Sequence, residues 1–196
     1  MDGRCPPRVL AALGTALLAA ACTAPADANA QRTPMAQGRH CPVATSATGV
    51  PVYWAHYSDD ANRVRLVREC APGAGDEDVP TQSVRALLKG QSADPDLGSI
   101  WAISDPPEAE VSVTVTPNLI SVNLPGAAIA IPPNVRLAAT AVRLAVQQLV
   151  YTVTDAAGSD IPVEILVDGR RGARIWDVAA HEPFTRAPAS EVLDAP

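Results

Sequence analysis

A chain of 196 residues with 47% apolar side chains has room for one domain of ordinary size with tails, and enough apolar surface to give that domain a core. Its formal charge is −6, a surface that nucleic acid would avoid.

Arg4 and Arg8 precede an apolar run, Val9 to Ala21. The run is too short to span a bilayer and has the size of a signal-peptide core, so residues 1–21 read as an export signal. Its end, Leu18-Ala19-Ala20-Ala21-Cys22, resembles the bacterial lipobox, in which small residues admit the peptidase and the cysteine receives diacylglycerol. The departure is Ala19, where the box usually carries a branched aliphatic. Ordinary secretion with cleavage after Ala30 is the competing reading, because Ala28-Asn29-Ala30 fits the small-x-small rule. That site lies well past the apolar run, which favours lipidation at Cys22. Two acyl chains on one residue anchor a protein stably, so the mature chain is expected on the outer, extracytoplasmic face of the cell membrane. Removing Arg4, Arg8 and Asp2 leaves 13 basic against 20 acidic side chains, or −7.

Residues 22–49, rich in Ala, Thr, Pro, Gln and Gly, lack the apolar bulk for a core and read as a flexible tether. Of four cysteines, Cys5 would leave with the signal and Cys22 would be acylated. Cys41 and Cys70 are left, a disulfide pair in an oxidising compartment. No C-x-x-C motif supports a redox or metal role, and His40 is the only close ligand.

Val50 to Tyr57 and Arg63 to Arg68 read as two strands joined around Ser58-Asp59-Asp60-Ala61-Asn62, a turn-rich loop. Asp76-Glu77-Asp78 could bind a cation, but it lacks the ligand alternation of a calcium loop, and acids ahead of a helix are favoured by its dipole. A helix is predicted from Thr81 as N-cap, burying Val84, Leu87 and Leu88 and stopped by Gly90. Gln91 to Pro107 reads as a long packed connection. Trp101 within it is a core plug, with the lining of a ligand cleft as the alternative.

Val111, Val113 and Val115 alternate with Ser112, Thr114 and Thr116; Pro117-Asn118 turns the chain; Ile120, Val122 and Leu124 alternate with Ser121 and Asn123. One face is aliphatic and the other small and polar, as in an antiparallel sheet covered on one side. From Arg136, polar residues Thr140, Arg143, Gln147, Tyr151 and Thr154 recur at helical spacing among Leu137, Val142, Leu144, Ala145, Leu149, Val150 and Val153, an amphipathic helix. After Gly158, Val163, Ile165 and Val167 alternate with Glu164, Leu166 and Asp168 as a half-buried strand. The fold class is therefore α/β (α+β): one two-layer sandwich, strand-strand-helix-strand-strand-helix-strand, a mixed sheet with both helices on one face.

Gln148-Leu149-Val150-Tyr151-Thr152-Val153-Thr154 followed by Val163-Glu164-Ile165-Leu166-Val167-Asp168-Gly169 resembles the end of a GerMN domain. That module occurs in GerM-type sporulation and germination lipoproteins, and ahead of a β-propeller in LpqB-type actinobacterial lipoproteins. The resemblance covers residues 50–186, implies the same small mixed sheet, and leaves 187–196 as a disordered tail.

No G-x-S-x-G elbow, phosphate-cradling glycine loop or H-E-x-x-H is present, and His40, His56 and His181 lack metal-ligand spacing. Ser58, His56 and Asp59 could be drawn as a triad, but a turn beside a strand explains them. No catalytic residue, cofactor or metal is expected. The reading is a non-enzymatic envelope module that binds another envelope protein or itself, with a binder of lipid, glycan or peptide fragments as the alternative. The candidate interface is the uncovered sheet face, Ser112, Thr114, Thr116, Ser121, Asn123 and Glu164, which is nearly uncharged and can be approached closely; a merely solvated face is the competing reading. Edge strands offer a second route by strand addition.

Overall fold

A computed structural model describes residues 49–58, 63–73, 76–90, 92–104, 111–131, 135–176 and 178–188. The signal, Cys22, Cys41, most of the tether, Asp59 and residues 189–196 lie outside the described residues.

β1 (Val50–Ser58) and β2 (Arg63–Ala71) pair antiparallel along their whole length, and β3 (Leu97–Gly98) joins the other edge of β1. β1 is central in this sheet, and Val50, Val52, Tyr53, Trp54 and Ala55 are all buried. A near-continuous apolar strand is what burial on both faces demands. β3 covers only Ala55 and His56, so the backbone of Tyr53 on that edge is completed from elsewhere. The amide N–H of Tyr53 donates to Oγ1 of Thr152 at 3.0 Å, and its carbonyl accepts from Nε2 of Gln148 at 3.2 Å. Pro51, two residues earlier, turns the same edge outward, so its missing N–H costs no bond with β2.

The two polar side chains come from α2 (Ala139–Ala156), where they stand at i and i+4 on one face. Both are fully buried. The predicted polar stripe is correspondingly narrower: Arg136 precedes the helix, and Tyr151 and Thr154 are buried because residues 184–187 run along the helix over them. The hydroxyl of Tyr151 donates to the carbonyl of Ala187 at 2.6 Å, Arg186 Nε donates to Oγ1 of Thr154 at 2.6 Å, and Gln147 brackets the segment through Thr185 and Ala187.

α1 (Val79–Lys89) has its N-cap three residues before the predicted one at Thr81. Asp78 is the cap: its Oδ1 accepts from the N–H of Thr81 at 2.9 Å and its Oδ2 from the Thr81 hydroxyl at 2.9 Å. Pro80 fits the first turn, where its missing donor is no loss. Gly90 ends the helix with φ +68°, and a Cβ there would meet that of Ala102 at 2.1 Å. Val84, Leu87 and Leu88 are buried as predicted. Both helices pack against β1 and against each other. A 3-10 turn, Ile100–Ser104, carries Trp101 into the core, where its Nε1 donates to the carbonyl of Ala145 at 2.8 Å.

A second three-stranded sheet holds β4 (Ser112–Val115), β5 (Ile120–Leu124) and β6 (Val163–Val167). β4 and β5 are antiparallel; β5 and β6 are parallel, with α2 as the crossover that a parallel pair requires. The α/β class and the order of the main elements match the sequence reading. The strands divide between two ladders, and the mixed one is the second. Ile120, Val122, Leu124, Val163, Ile165 and Val167 are buried. Val115 is 47% exposed, against the prediction of a continuous aliphatic face on β4. The reason is that α1 reaches only the start of that strand, where the Val113 N–H donates to Oγ1 of Thr81 and Arg85 donates to the carbonyl of Val111.

After β6, Asp168 (φ +49°) and Gly169 (φ +72°) form the two-residue turn between Val167 and Arg170, which exchange both backbone bonds. Positive φ at both central positions is what makes Asp-Gly fit there. A small hairpin, β7 (Arg174–Ile175) and β8 (Val178–Ala179), follows. Phe184 then exchanges two 2.7 Å backbone bonds with Val163 on the outer edge of β6.

Candidate functional site

Pairing register puts Thr114, Ser121 and Glu164 in one row across the second sheet, and Ser112, Asn123 and Leu166 in the next. Period-two alternation turns these side chains to the face opposite the buried valines and isoleucines. Thr116 stands at the end of the same hairpin. Six predicted residues are thus brought to one face, but in two conditions.

Ser112, Thr114 and Thr116 on the outer strand are exposed. The Thr116 hydroxyl closes its own turn, donating to the carbonyl of Leu119 at 2.7 Å and accepting from the Leu119 N–H at 3.1 Å. Ser121, Asn123 and Glu164 are half-buried and already engaged. Asn123 Oδ1 accepts from the N–H of Gly169 at 2.7 Å and pins the Asp-Gly turn. Ser121 Oγ donates to Oε2 of Glu164 at 3.4 Å, and Arg171 Nε lies 3.0 Å from Oε1 of the same carboxylate. Arg171 is 75% exposed while Glu164 is 15% exposed, so the carboxylate is sheltered beneath the guanidinium. Sequence reasoning missed Arg171 because it sits in the loop after Gly169, outside any alternating pattern. The pair leaves these rows without a net charge.

The edge of β4 is less open than its sequence suggests. Thr81 and Arg85 occupy its backbone at Val113 and Val111, and Pro117, with no N–H, follows its far end. The Val113 N–H and the Val111 carbonyl are therefore not available to an added strand.

A second cluster went unmarked in the sequence. Tyr53 and Tyr151 have ring centroids 5.3 Å apart; Arg186 lies over the Tyr151 ring at 5.0 Å and pairs with Asp160 at 2.9 Å; Arg68 pairs with Asp155 at 2.6 Å. Burial pushes the Tyr53 hydroxyl above its usual range, with nearby Asp155 adding to the shift. Burial raises Tyr151 too, against the opposing pull of Arg186. These groups close α2 onto β1 and the C-terminal segment onto α2. The signal available was Gln148 and Thr152, two polar residues at i and i+4 inside an apolar helical stretch.

His56 faces Arg65 across the β1–β2 ladder, and its triad partner Asp59 lies outside the described residues. Among the described residues no group of three His, Cys, Asp or Glu could hold a metal, and no helix is long and apolar enough to cross a membrane. Tyr53 and Trp54, neighbouring aromatics of the kind that line ligand clefts, are buried in the core. A pocket of about 290 Å³ beside Glu69, Cys70, Ala93, Asp94 and Pro95 has no aromatic wall among the described residues. The thiol of Cys70 is not free.

Residues 51–173, from β1 through the Asp-Gly turn, match the Germane family, described as sporulation and spore germination. The chain belongs to the Germane family. The tandem GerMN domains of the sporulation protein GerM from Bacillus subtilis are similar to this Germane chain with a TM-score of 0.48 and 15% identity, over 78% of this chain and 50% of that one. A candidate lipoprotein from Clostridium perfringens is similar with a TM-score of 0.45 and 20% identity, over 74% and 88%. The Germane chain spans half the length of the tandem structure. No curated protein matches it significantly.

Proposed function

We propose that the chain is a non-enzymatic, membrane-anchored extracytoplasmic lipoprotein of the bacterial envelope. Its Germane domain docks on another envelope protein, or on a second copy of itself, through the open face of the β4–β5–β6 sheet. The observation that carries this reading is the pairing of Glu164 with Arg171 at 3.0 Å on a face otherwise made of Ser, Thr and Asn with one half-buried leucine. A partner approaching such a face has no unpaired charge to desolvate, and desolvation is the largest cost of burying ionic groups. Small side chains permit close approach, and hydroxyls and amides supply hydrogen bonds at the density interfaces use. Anchoring rests on the lipobox-like run ending at Cys22.

The test is a double substitution, Ser112→Arg with Thr114→Arg. Both side chains are exposed on the outer strand, so circular dichroism and urea midpoint should match the parent. The expected result is loss of the partner that copurifies with the parent from detergent-solubilised envelopes. Retained partner binding by the folded variant would move the site off this face.

A further inference from the structure

β2 is the outermost strand of its sheet, whose order is β2-β1-β3. The bonds between Tyr53 and α2 fix how β2 presents its backbone. Because the N–H and carbonyl of Tyr53 are turned to Thr152 and Gln148, Tyr53 and its ladder partner Arg68 form a non-hydrogen-bonded pair, and Arg68 turns its own N–H and carbonyl away from β1. Alternation does the same for Leu66 and Val64. Among the described residues nothing meets these outward N–H and carbonyl groups. The strand keeps an unbroken register with β1 over nine residues, without a proline or a bulge, and an edge of that kind accepts a further strand.

Its charges select the strand that fits. The side chains of Arg65, Val67 and Glu69 share the face opposite those of Leu66 and Arg68. Arg65 is exposed and has no ion-pair partner among the described residues, whereas Arg68 is already paired with Asp155. Glu69 is half-buried; one of its carboxylate oxygens accepts from Ser92 Oγ at 2.8 Å, and it lines a pocket together with Asp94. An antiparallel two-fold arrangement with its axis at Val67 sets Arg65 of each copy opposite Glu69 of the other. In that register Leu66 of one copy and Arg68 of the other form the hydrogen-bonded pairs, the parity that the outward edge requires. An axis at Arg65, Arg68 or Glu69 would set like charges opposite one another.

We propose that the outer edge of β2 is a self-association site, where a second copy of this chain adds its own β2 antiparallel across a two-fold axis at Val67. The two three-stranded sheets then continue into each other, joined by the backbone of Leu66 and Arg68 and by two Arg65–Glu69 pairs. The site is separate from the open face of the β4–β5–β6 sheet and does not depend on it.

Cysteine cross-linking in cells producing the full chain tests this. Opposed residues of a non-hydrogen-bonded pair stand with Cα atoms about 4.5 Å apart, within disulfide reach, so Val67→Cys should give a dimer linked through residue 67 of both chains under mild oxidation. Adding Arg65→Glu or Glu69→Arg sets like charges across the axis and should cut the yield at least about fivefold; both changes in one chain should restore it. No dimer linked through residue 67 would overturn the site. A yield indifferent to the single reversals, or not restored by the double one, would overturn the register. Loss of the linked dimer on adding Ser112→Arg with Thr114→Arg would assign self-association to the other sheet. Sedimentation of the parent at about 1 mM needs no substitution and should show the same weak dimer; a monomer there would overturn the site whether or not the variants fold.

Discussion

Gln148 and Tyr53 are 95 residues apart in sequence and joined at 3.2 Å, the side-chain amide of one donating to the backbone carbonyl of the other. The same Nε2 reaches the carbonyl of Gly98 at 3.1 Å, and Oε1 accepts from the N–H of Ile100 at 3.1 Å. One fully buried side chain thus satisfies backbone groups from β1, β3 and the following 3-10 turn. Gln148→Leu should destabilise the domain by about 2–4 kcal/mol, because it leaves three backbone groups without a partner. Thr152→Val, which strips the acceptor of the Tyr53 N–H, should cost about 1–2 kcal/mol. Urea unfolding measures both; a cost below that of the exposed Arg143→Ala would contradict the assignment.

Tyr53 and Tyr151 make stability fall at alkaline pH. Burial raises both hydroxyls above the usual 10.0, so between the unfolded and folded values the native state holds protons that the unfolded state has lost. Their contribution is complete below pH 10 and disappears as pH rises through the folded values. Urea midpoints followed from about pH 8 to 11 should decline above about 10, and Tyr53→Phe should flatten the decline. Phenolate absorbance should show late titration of the two rings in the folded chain alone.

A Cys41–Cys70 disulfide is the pairing proposed for an oxidising compartment. It would close a loop of about thirty residues and stabilise the domain by about 3 kcal/mol in the chain-entropy description. Non-reducing peptide mapping of protein taken from the envelope should recover the linked pair. Cys41 alkylated without reductant would exclude it.

Cys22→Ala should release the protein from the membrane fraction into the medium or periplasmic extract. The lipid anchor fails as an explanation if the variant sediments with membranes as the parent does, or if the parent's mature N-terminus is Gln31.

The sequence shows most clearly the features that one segment determines by itself. Alternation of Ile120, Val122 and Leu124, and of Val163, Ile165 and Val167, marks β5 and β6 because each strand buries a single face. The start of α1 differs from the expected Thr81 because Asp78 caps the helix and proline is at home in its first turn. β3 is two residues long and is held partly by Gln148, so no local pattern announces it. The division into two sheets depends on which strands meet across long separations, and periodicity carries no such information. At the candidate face the rows were legible from alternation, but the shielding of Glu164 by Arg171 and the capture of Asn123 by Gly169 belong to loop geometry.

The completion of β1 by α2 has a consequence for how the chain reaches its native state. The Tyr53–Thr152 bond spans 99 residues, so the early hairpin keeps an unfinished edge until the last helix has been made and delivered. Contacts of such sequence separation slow folding, and an unfinished edge is prone to pair with the wrong chain while it waits. A chain that ended before Gln148 would present that edge permanently. Truncations upstream of α2 should therefore yield aggregates or degraded fragments in place of a smaller stable domain.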